Sequence, residues 1–231
     1  LRAEGTAILF TSYKLDEVRQ IAGRVTIMRD GEVVHQGPVA EMNVDQMAEA
    51  MVGRDVSHLY PAKGTLPKDA EAVLQVKNLT VSGYATDISF DLRRGEILGI
   101  SGMIGSGRTE TMEGLCGLRR ATAEHVRING VDVHITAPKQ APARGLCYLT
   151  EDRKGRGLLL NKSMRENLTL QALDTFGSIL IDQSAEEKAL ATATQDFDIR
   201  AAHKDVNVGN MSRGNQQKLL IAKTMLSAPQ I

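Results

Sequence analysis

Two periods run through this chain. Short branched apolar runs read as strands, and apolar residues spaced by three and four read as helices. Thr6 to Phe10 is the first run and predicts a buried strand. A helix follows in which Leu15, Val18 and Ala22 share one face, Asp16 and Glu17 suit the positive end of the helix dipole, and Ser12 is the expected cap. Arg24 to Met28 and Glu32 to His35 flank Asp30-Gly31, a strong hairpin signal, and Val44, Met47, Ala48 and Met51 line an amphipathic helix whose methionines read as core. From Gly53 to Ala72 the periodicity lapses, and Pro61, Gly64 and Pro67 accumulate among charges as in a connecting segment. It returns with strands at Val73 to Val76 and Ile88 to Phe90, then a branched run at Glu96 to Ile100 that predicts a buried parallel strand. Met112, Leu115 and Cys116 share a helix face, and Val126 and Ile128 face Val131 and Val133 across Asn129-Gly130, a second hairpin. Leu146 to Leu149 reads as another buried strand. Helices are predicted over Ser163–Leu170, Ala185–Phe197 and Asn215–Leu226, and a further strand begins at Pro229 to Ile231.

The pattern divides the chain into residues 1–55, a linker over 56–72, and a second domain over 73–231. Alternating short strands and helices, with hairpins beside them, predict an α/β sheet with an added antiparallel β subdomain, and residues 160–205 predict a helical region. The abrupt start suggests a piece of a longer protein.

Composition narrows the partners. Lys plus Arg (28) equals Asp plus Glu (28). With no global positive field and few aromatics, nucleic acid is not an expected partner, and any anion site must be local. The two cysteines, Cys116 and Cys147, sit in apolar surroundings without metal-ligand spacing and read as core thiols. No apolar run approaches the roughly 18 residues of a membrane span, and no signal peptide is recognised, so the expected location is cytoplasmic.

The stretch with chemistry is Gly102-Met103-Ile104-Gly105-Ser106-Gly107-Arg108-Thr109. A glycine, four residues, a glycine, a base and a hydroxyl, placed between a strand and a helix, fit a loop whose backbone N–H groups converge on phosphate. Arg108 stands where that pattern asks for Lys. A planar fork does not replace a compact ammonium, so the loop predicts nucleotide binding and argues against hydrolysis there. A glycine-rich turn holding nothing is the plain alternative. A dinucleotide fingerprint fits worse, because Gly105-Ser106-Gly107 is followed by Arg108, Thr109 and Glu110 with no third glycine. On charge alone, Glu151 to Gly157 reads as a solvated loop.

Three stretches in order, Gly105-Ser106-Gly107-Arg108-Thr109-Glu110, Glu151-Asp152-Arg153-Lys154-Gly155 and Met211-Ser212-Arg213-Gly214-Asn215-Gln216-Gln217-Lys218, resemble the second cassette of tandem ATP-binding subunits of ABC importers for monosaccharides. Residues 1–55, with Ser12-Tyr13-Lys14-Leu15-Asp16-Glu17-Val18, are similar to the tail of the first cassette, where His is usual at Tyr13. The resemblance implies a P-loop NTPase ABC cassette preceded by a partial first cassette. It implies ATP and Mg²⁺ at Gly102, Gly105, Ser106, Gly107, Arg108, Thr109 and Glu110, with the Thr109 hydroxyl on the metal. Ser212, Arg213, Gly214, Asn215 and Gln216 correspond to the signature that closes on ATP held by a second, head-to-tail cassette. Glu151 takes the place of a coupling glutamine, and Tyr13 that of the switch histidine. Implied partners are transmembrane permease subunits and, through them, a periplasmic sugar-binding protein; the implied place is peripheral, on the cytoplasmic face of the inner membrane. Arg108 is then a family trait, whereas Tyr13 and Arg213, where glycine is usual, are departures. The catalytic glutamate of the family and the first cassette's phosphate loop fall outside residues 1–231, so this piece alone is expected to lack appreciable ATPase activity. A nucleotide-binding module without turnover is the competing function.

Overall fold

The computed structural model describes residues 1–53, 64–67 and 69–231, so the expected linker lies outside the described residues at 56–63 and 68. The chain forms two compact units, Leu1–Thr65 and Leu66–Ile231.

In the first unit, helix α1 (Leu15–Ile21), strands β1 (Arg24–Arg29) and β2 (Glu32–Pro38) and helix α2 (Val44–Val52) enclose Val18, Ile27, Val39 and Met47, with Leu15, Ala22 and Met51 packed against them. The hairpin closes as the sequence predicts: Arg29 pairs with Glu32, and Asp30 and Gly31 take φ of 53° and 87°, the two positive values of a type I′ turn. Asn43 and Gln46 form a reciprocal cap on α2, and Gly53 ends it in the left-handed conformation. The start of α1 differs from expectation. Lys14 occupies the cap position without a side-chain bond, and the Ser12 hydroxyl accepts the Lys14 N–H at 3.0 Å, so Ser12 closes the turn before the helix. The strand expected at Thr6 to Phe10 is not in any ladder, and Leu9 is 96% exposed.

The second unit is built on β3 (Ala72–Val81). It pairs antiparallel with β4 (Ala85–Arg93) on one side and with β6 (His125–Ile128) and the short β5 (Ala121–Thr122) on the other, and β7 (Val131–Asp132) completes the sheet beside β6. Asn129 and Gly130 make the second I′ turn, with φ of 49° and 77°. Helix α3 (Arg108–Leu115) packs on this sheet, and Leu74, Val76, Leu79, Leu115, Cys116, Ile128, Ala141 and Leu146 form the core. Both cysteines are free, and burial pushes the Cys116 thiol up to about 12. A second core joins helices α4 (Met164–Thr169), α5 (Gln183–Asp196) and α6 (Arg213–Met225) around Leu168, Leu190, Val208 and Leu219.

Two expected strands require correction. Glu96 to Ile100 lies in no ladder, and Ile97 is 98% exposed. Leu146 to Leu149 is likewise unassigned to a sheet, although Leu146 is buried. A parallel strand takes its hydrogen bonds from neighbours reached by a long crossover, so an apolar run alone does not make one. The single parallel rung among the described residues joins Leu146 to Ile231: Ile231 N–H donates to the Gly145 carbonyl and Cys147 N–H to the Ile231 carbonyl, each at 2.9 Å.

Candidate phosphate-binding site

The glycine-rich stretch is curled. Ser106 N–H donates to the Met103 carbonyl at 3.1 Å, and Gly105 and Gly107 both have φ of 82°, a region side chains disfavour. Gly107 also passes so close to the Tyr84 carbonyl that an added Cβ would lie 2.5 Å from it, and at Gly102 one would lie 2.6 Å from Ser106 Oγ. Gly107 is the N-cap of α3 and contributes no side-chain bond, which leaves the first-turn N–H groups of that helix without a side-chain cap. Thr111 secures the turn from behind, with N–H and hydroxyl donating to the Gly107 carbonyl at 2.8 and 2.7 Å.

This bend opens into a cavity of about 550 Å³ walled by residues 103–110 and by Glu113, Arg119, Tyr148, Thr150, Glu151, Asp152 and Arg156. Arg108 is exposed, and its Cδ lies against the bend, 3.5 Å from where a Cβ on Gly102 would stand. The Thr109 hydroxyl donates to Glu151 Oε1 at 3.3 Å, which brings two of the expected site residues together across 42 positions of sequence. Glu110 is half-buried beside them.

The loop after Glu151 is more than a solvated run. Residues Arg153–Gly157 wind into a π-helical turn, with Leu158 N–H donating to the Arg153 carbonyl at 2.8 Å and Asp152 Oδ1 accepting Gly155 N–H at 2.9 Å. Arg156 reaches Glu113 on α3, and Arg119 takes the other oxygen of the same carboxylate while its guanidinium stacks 4.6 Å from the Tyr84 ring centroid. Glu113 is 2% exposed, and such a charge is stable indoors because both of its oxygens are held by cations. Sequence reasoning missed this group. Its signal was an acid between Met112 and Leu115 on a helix face that otherwise packs inward.

The Ser212 to Gln216 stretch splits into an outward and an inward half. Ser212 caps α6, accepting Asn215 N–H at 3.4 Å and the Asn215 amide at 3.0 Å, and Ser212, Arg213 and Gly214 are exposed with open space above Gly214. Asn215 and Gln216, expected to face nucleotide, are committed to the protein. Asn215 Oδ1 accepts Arg200 N–H at 2.9 Å, and Gln216, 3% exposed, donates to the Val208 and Met211 carbonyls at 2.9 and 3.3 Å. A spacing shows that these residues adjoin the motif, but not which way an amide turns. Tyr13 lies in the first unit, 80% exposed, just ahead of α1.

Residues 85–231 match the family profile described as ABC transporter. The chain belongs to that family. It is 37% identical to the ribose import ATP-binding protein RbsA of Chromobacterium violaceum, over 100% of this chain and 46% of that protein. It is 40% identical to a putative ribose/galactose/methyl galactoside import ATP-binding protein of Rhizobium etli, over 98% of this chain and 43% of that one. This ABC chain thus spans about half the length of the curated relatives it matches. Among solved structures it resembles cbiO1 from Clostridium perfringens, part of the ABC transporter complex cbiONQ, with a TM-score of 0.53 at 16% identity over 68% of this chain and 62% of that one. It also resembles an ATP-binding cassette of an ABC transporter in its ADP conformation, with a TM-score of 0.53 at 19% identity over 69% of this chain and 66% of that one. These likenesses show the ABC cassette fold.

Proposed function

We propose that this chain is part of an ATP-binding subunit that energises monosaccharide import through an ABC transporter, with ATP held at residues 102–110. The observation that carries this reading is the curled, uncapped bend at Gly105 to Gly107 opening on a cavity with Thr109 and Glu151 at its edge. Unpaired N–H groups at a helix start are a site for anionic oxygens, and the helix dipole adds to their field. The affinity for relatives whose names state ribose import supports the sugar.

Within that reading Gly102, Gly105 and Gly107 let the backbone approach the β- and γ-phosphates, and Ser106, Arg108 and Glu110 flank them. Mg²⁺ would neutralise charge between the phosphates. Among the described residues no three acidic, His or Cys side chains converge into a metal cage, which fits a cation held largely by phosphate oxygens with the Thr109 hydroxyl as the protein ligand. Glu151, already within reach of that hydroxyl, is the residue that registers its engagement. Ser212, Arg213 and Gly214 face outward to meet ATP on a second, head-to-tail cassette, while Asn215 and Gln216 brace them. Residues 1–55 are the end of a first cassette, with Tyr13 in its switch position. Among the described residues no helix is long and apolar enough to cross a membrane. In this reading the subunit attaches to the cytoplasmic face of the inner membrane through permease subunits, which in turn receive sugar from a periplasmic binding protein.

A non-hydrolysing, regulatory subunit is the second reading, favoured by Arg108 in the lysine position and Arg213 in that of a glycine. Calorimetric ATP titration of the full-length protein, paired with phosphate release, separates the two. Saturable binding with Mg²⁺, weakened about tenfold or more by Thr109→Ala without loss of fold, is the expected result. A protein that takes up no ATP under any Mg²⁺ concentration ends both readings.

A further inference from the structure

In the first unit one polar atom is closed off from solvent without a partner. His35 Nε2 makes no hydrogen bond among the described residues. The strand register explains why: His35 stands opposite Ile27 and Gly37 opposite Val25, so β1 offers that face only apolar side chains. A buried nitrogen of this kind is costly unless another group meets it. Gly37 shows which group is at hand. A Cβ on Gly37 would stand 3.3 Å from His35 Nε2 and 3.6 Å from Glu41 Oε2, and its three nearest heavy atoms all belong to those two residues. Glu41 ends the 3₁₀ turn Val39–Glu41, is exposed, and makes no hydrogen bond or ion pair among the described residues. Gly37 is not in the left-handed region, so its backbone does not demand glycine; its lack of a side chain leaves imidazole and carboxylate facing one common point.

We propose that His35 and Glu41 hold a divalent transition cation of the zinc class between them, beside Gly37. A neutral imidazole nitrogen offers its lone pair and a carboxylate only accepts, so a single partner for both must be electron-poor on two sides. One nitrogen and one carboxylate oxygen suit Zn²⁺, at about 2.0–2.2 Å from each, and suit Mg²⁺ or Ca²⁺ poorly, since those take oxygen ligands. Glu41 closes the remaining gap. Its side chain is exposed at the end of a turn and free to swing inward, whereas His35 stands in a paired strand. With two protein ligands the other positions go to water, so the cation exchanges, unlike one in a closed four-ligand cage. Once bound it fastens the turn Val39–Glu41 to β2. Val39 of that turn belongs to the core of the first unit, so the clip bears on that core. This site is separate from the Mg²⁺ proposed at Thr109 and does not depend on nucleotide.

Calorimetric Zn²⁺ titration of the untagged full-length protein in excess Mg²⁺ tests the site by difference between variants. The wild type should take up one equivalent more than His35→Gln, and Glu41→Gln should weaken that equivalent at least about tenfold. His203→Gln, at an exposed histidine of the second unit, should leave it unchanged. Gly37→Ala is the sharpest variant. It keeps both ligands and puts a methyl at the point on which they converge, so it should lose the same equivalent while circular dichroism shows the wild-type fold. Equal uptake by wild type and His35→Gln overturns the site and leaves Nε2 to water alone. Wild-type uptake by a folded Gly37→Ala overturns it too. Should Gly37→Ala not fold, Glu41→Gln decides, because that residue is exposed and unbonded; unweakened binding there refutes the proposal.

Discussion

Helices α3 and α6 both begin at an exposed turn that serves an anion in the proposed function, yet they are prepared in opposite ways. At α3 the cap is a glycine in the left-handed region with no side-chain acceptor, so the first-turn N–H groups are left bare. At α6 the cap is Ser212, which takes the Asn215 N–H, while Asn215 and Gln216 fasten the turn to Arg200, Val208 and Met211. Bare donors make a receptacle, and satisfied ones make a rigid face. Helix α4 marks the far end of this range. Ser163 and Glu166 form a full reciprocal cap there, and buried Asn167 bonds Leu159 through both its oxygen and its amide, at 2.7 and 2.9 Å. That start has no donors to offer and is purely structural.

The largest effect is expected where the rigid face meets the core. Leu219 is wholly buried beneath α6, and Leu219→Ala should cost about 3 kcal/mol of stability in urea denaturation, from lost burial plus the cavity left behind. A loss under about 1 kcal/mol would mean that α6 is not held by that core. Gly107→Ala comes next. Its Cβ meets the Tyr84 carbonyl and its φ becomes unfavourable, so a loss of about 2 kcal/mol and at least about tenfold in ATP affinity is expected. Calorimetry showing unaltered affinity would remove the receptacle from the comparison. Ser212→Ala should lower stability by about 1 kcal/mol, the usual worth of a cap, and leave ATP affinity at the bend unchanged.

The smallest effect concerns α4. Bonds from the Ser163 backbone, from Lys162 and from the Ser163 hydroxyl hold the Glu166 carboxyl down at about 2. A carboxyl depressed in the folded state contributes stability above its unfolded value of about 4.3, and loses it as pH falls through the folded value. The group is half-exposed, so solvent screening keeps this below about 1 kcal/mol. Denaturation at pH 7 and pH 3 should give a slightly shallower pH dependence for Glu166→Gln than for the wild type. Identical slopes would show that the acid's role in the cap is not electrostatic.

Much of this was legible wherever the partner of a residue lies close by in sequence. Asp30-Gly31 and Asn129-Gly130 specify turns whose strands are already adjacent, and both hairpins form in the register those turns dictate. The helix expected over Ser163–Leu170 forms as α4 in its first part, and the glycine spacing announces the bend. The runs at 6–10 and 96–100 have the composition of strands and pair with nothing among the described residues, since composition cannot supply a neighbour. Helix direction was readable too, but the inward turn of Gln216 was not.

By itself the sequence determined the hairpin turns and the glycines that let the backbone curl, because each is settled by torsional preferences and bonds within a few residues. Only the tertiary structure decided that Glu113 is shared by Arg119 and Arg156, that Glu151 meets Thr109, and that Arg153 reaches α6 across 60 positions. Those contacts depend on where packed elements bring distant side chains, and short-range electrostatics reward them only at separations that the folded core fixes.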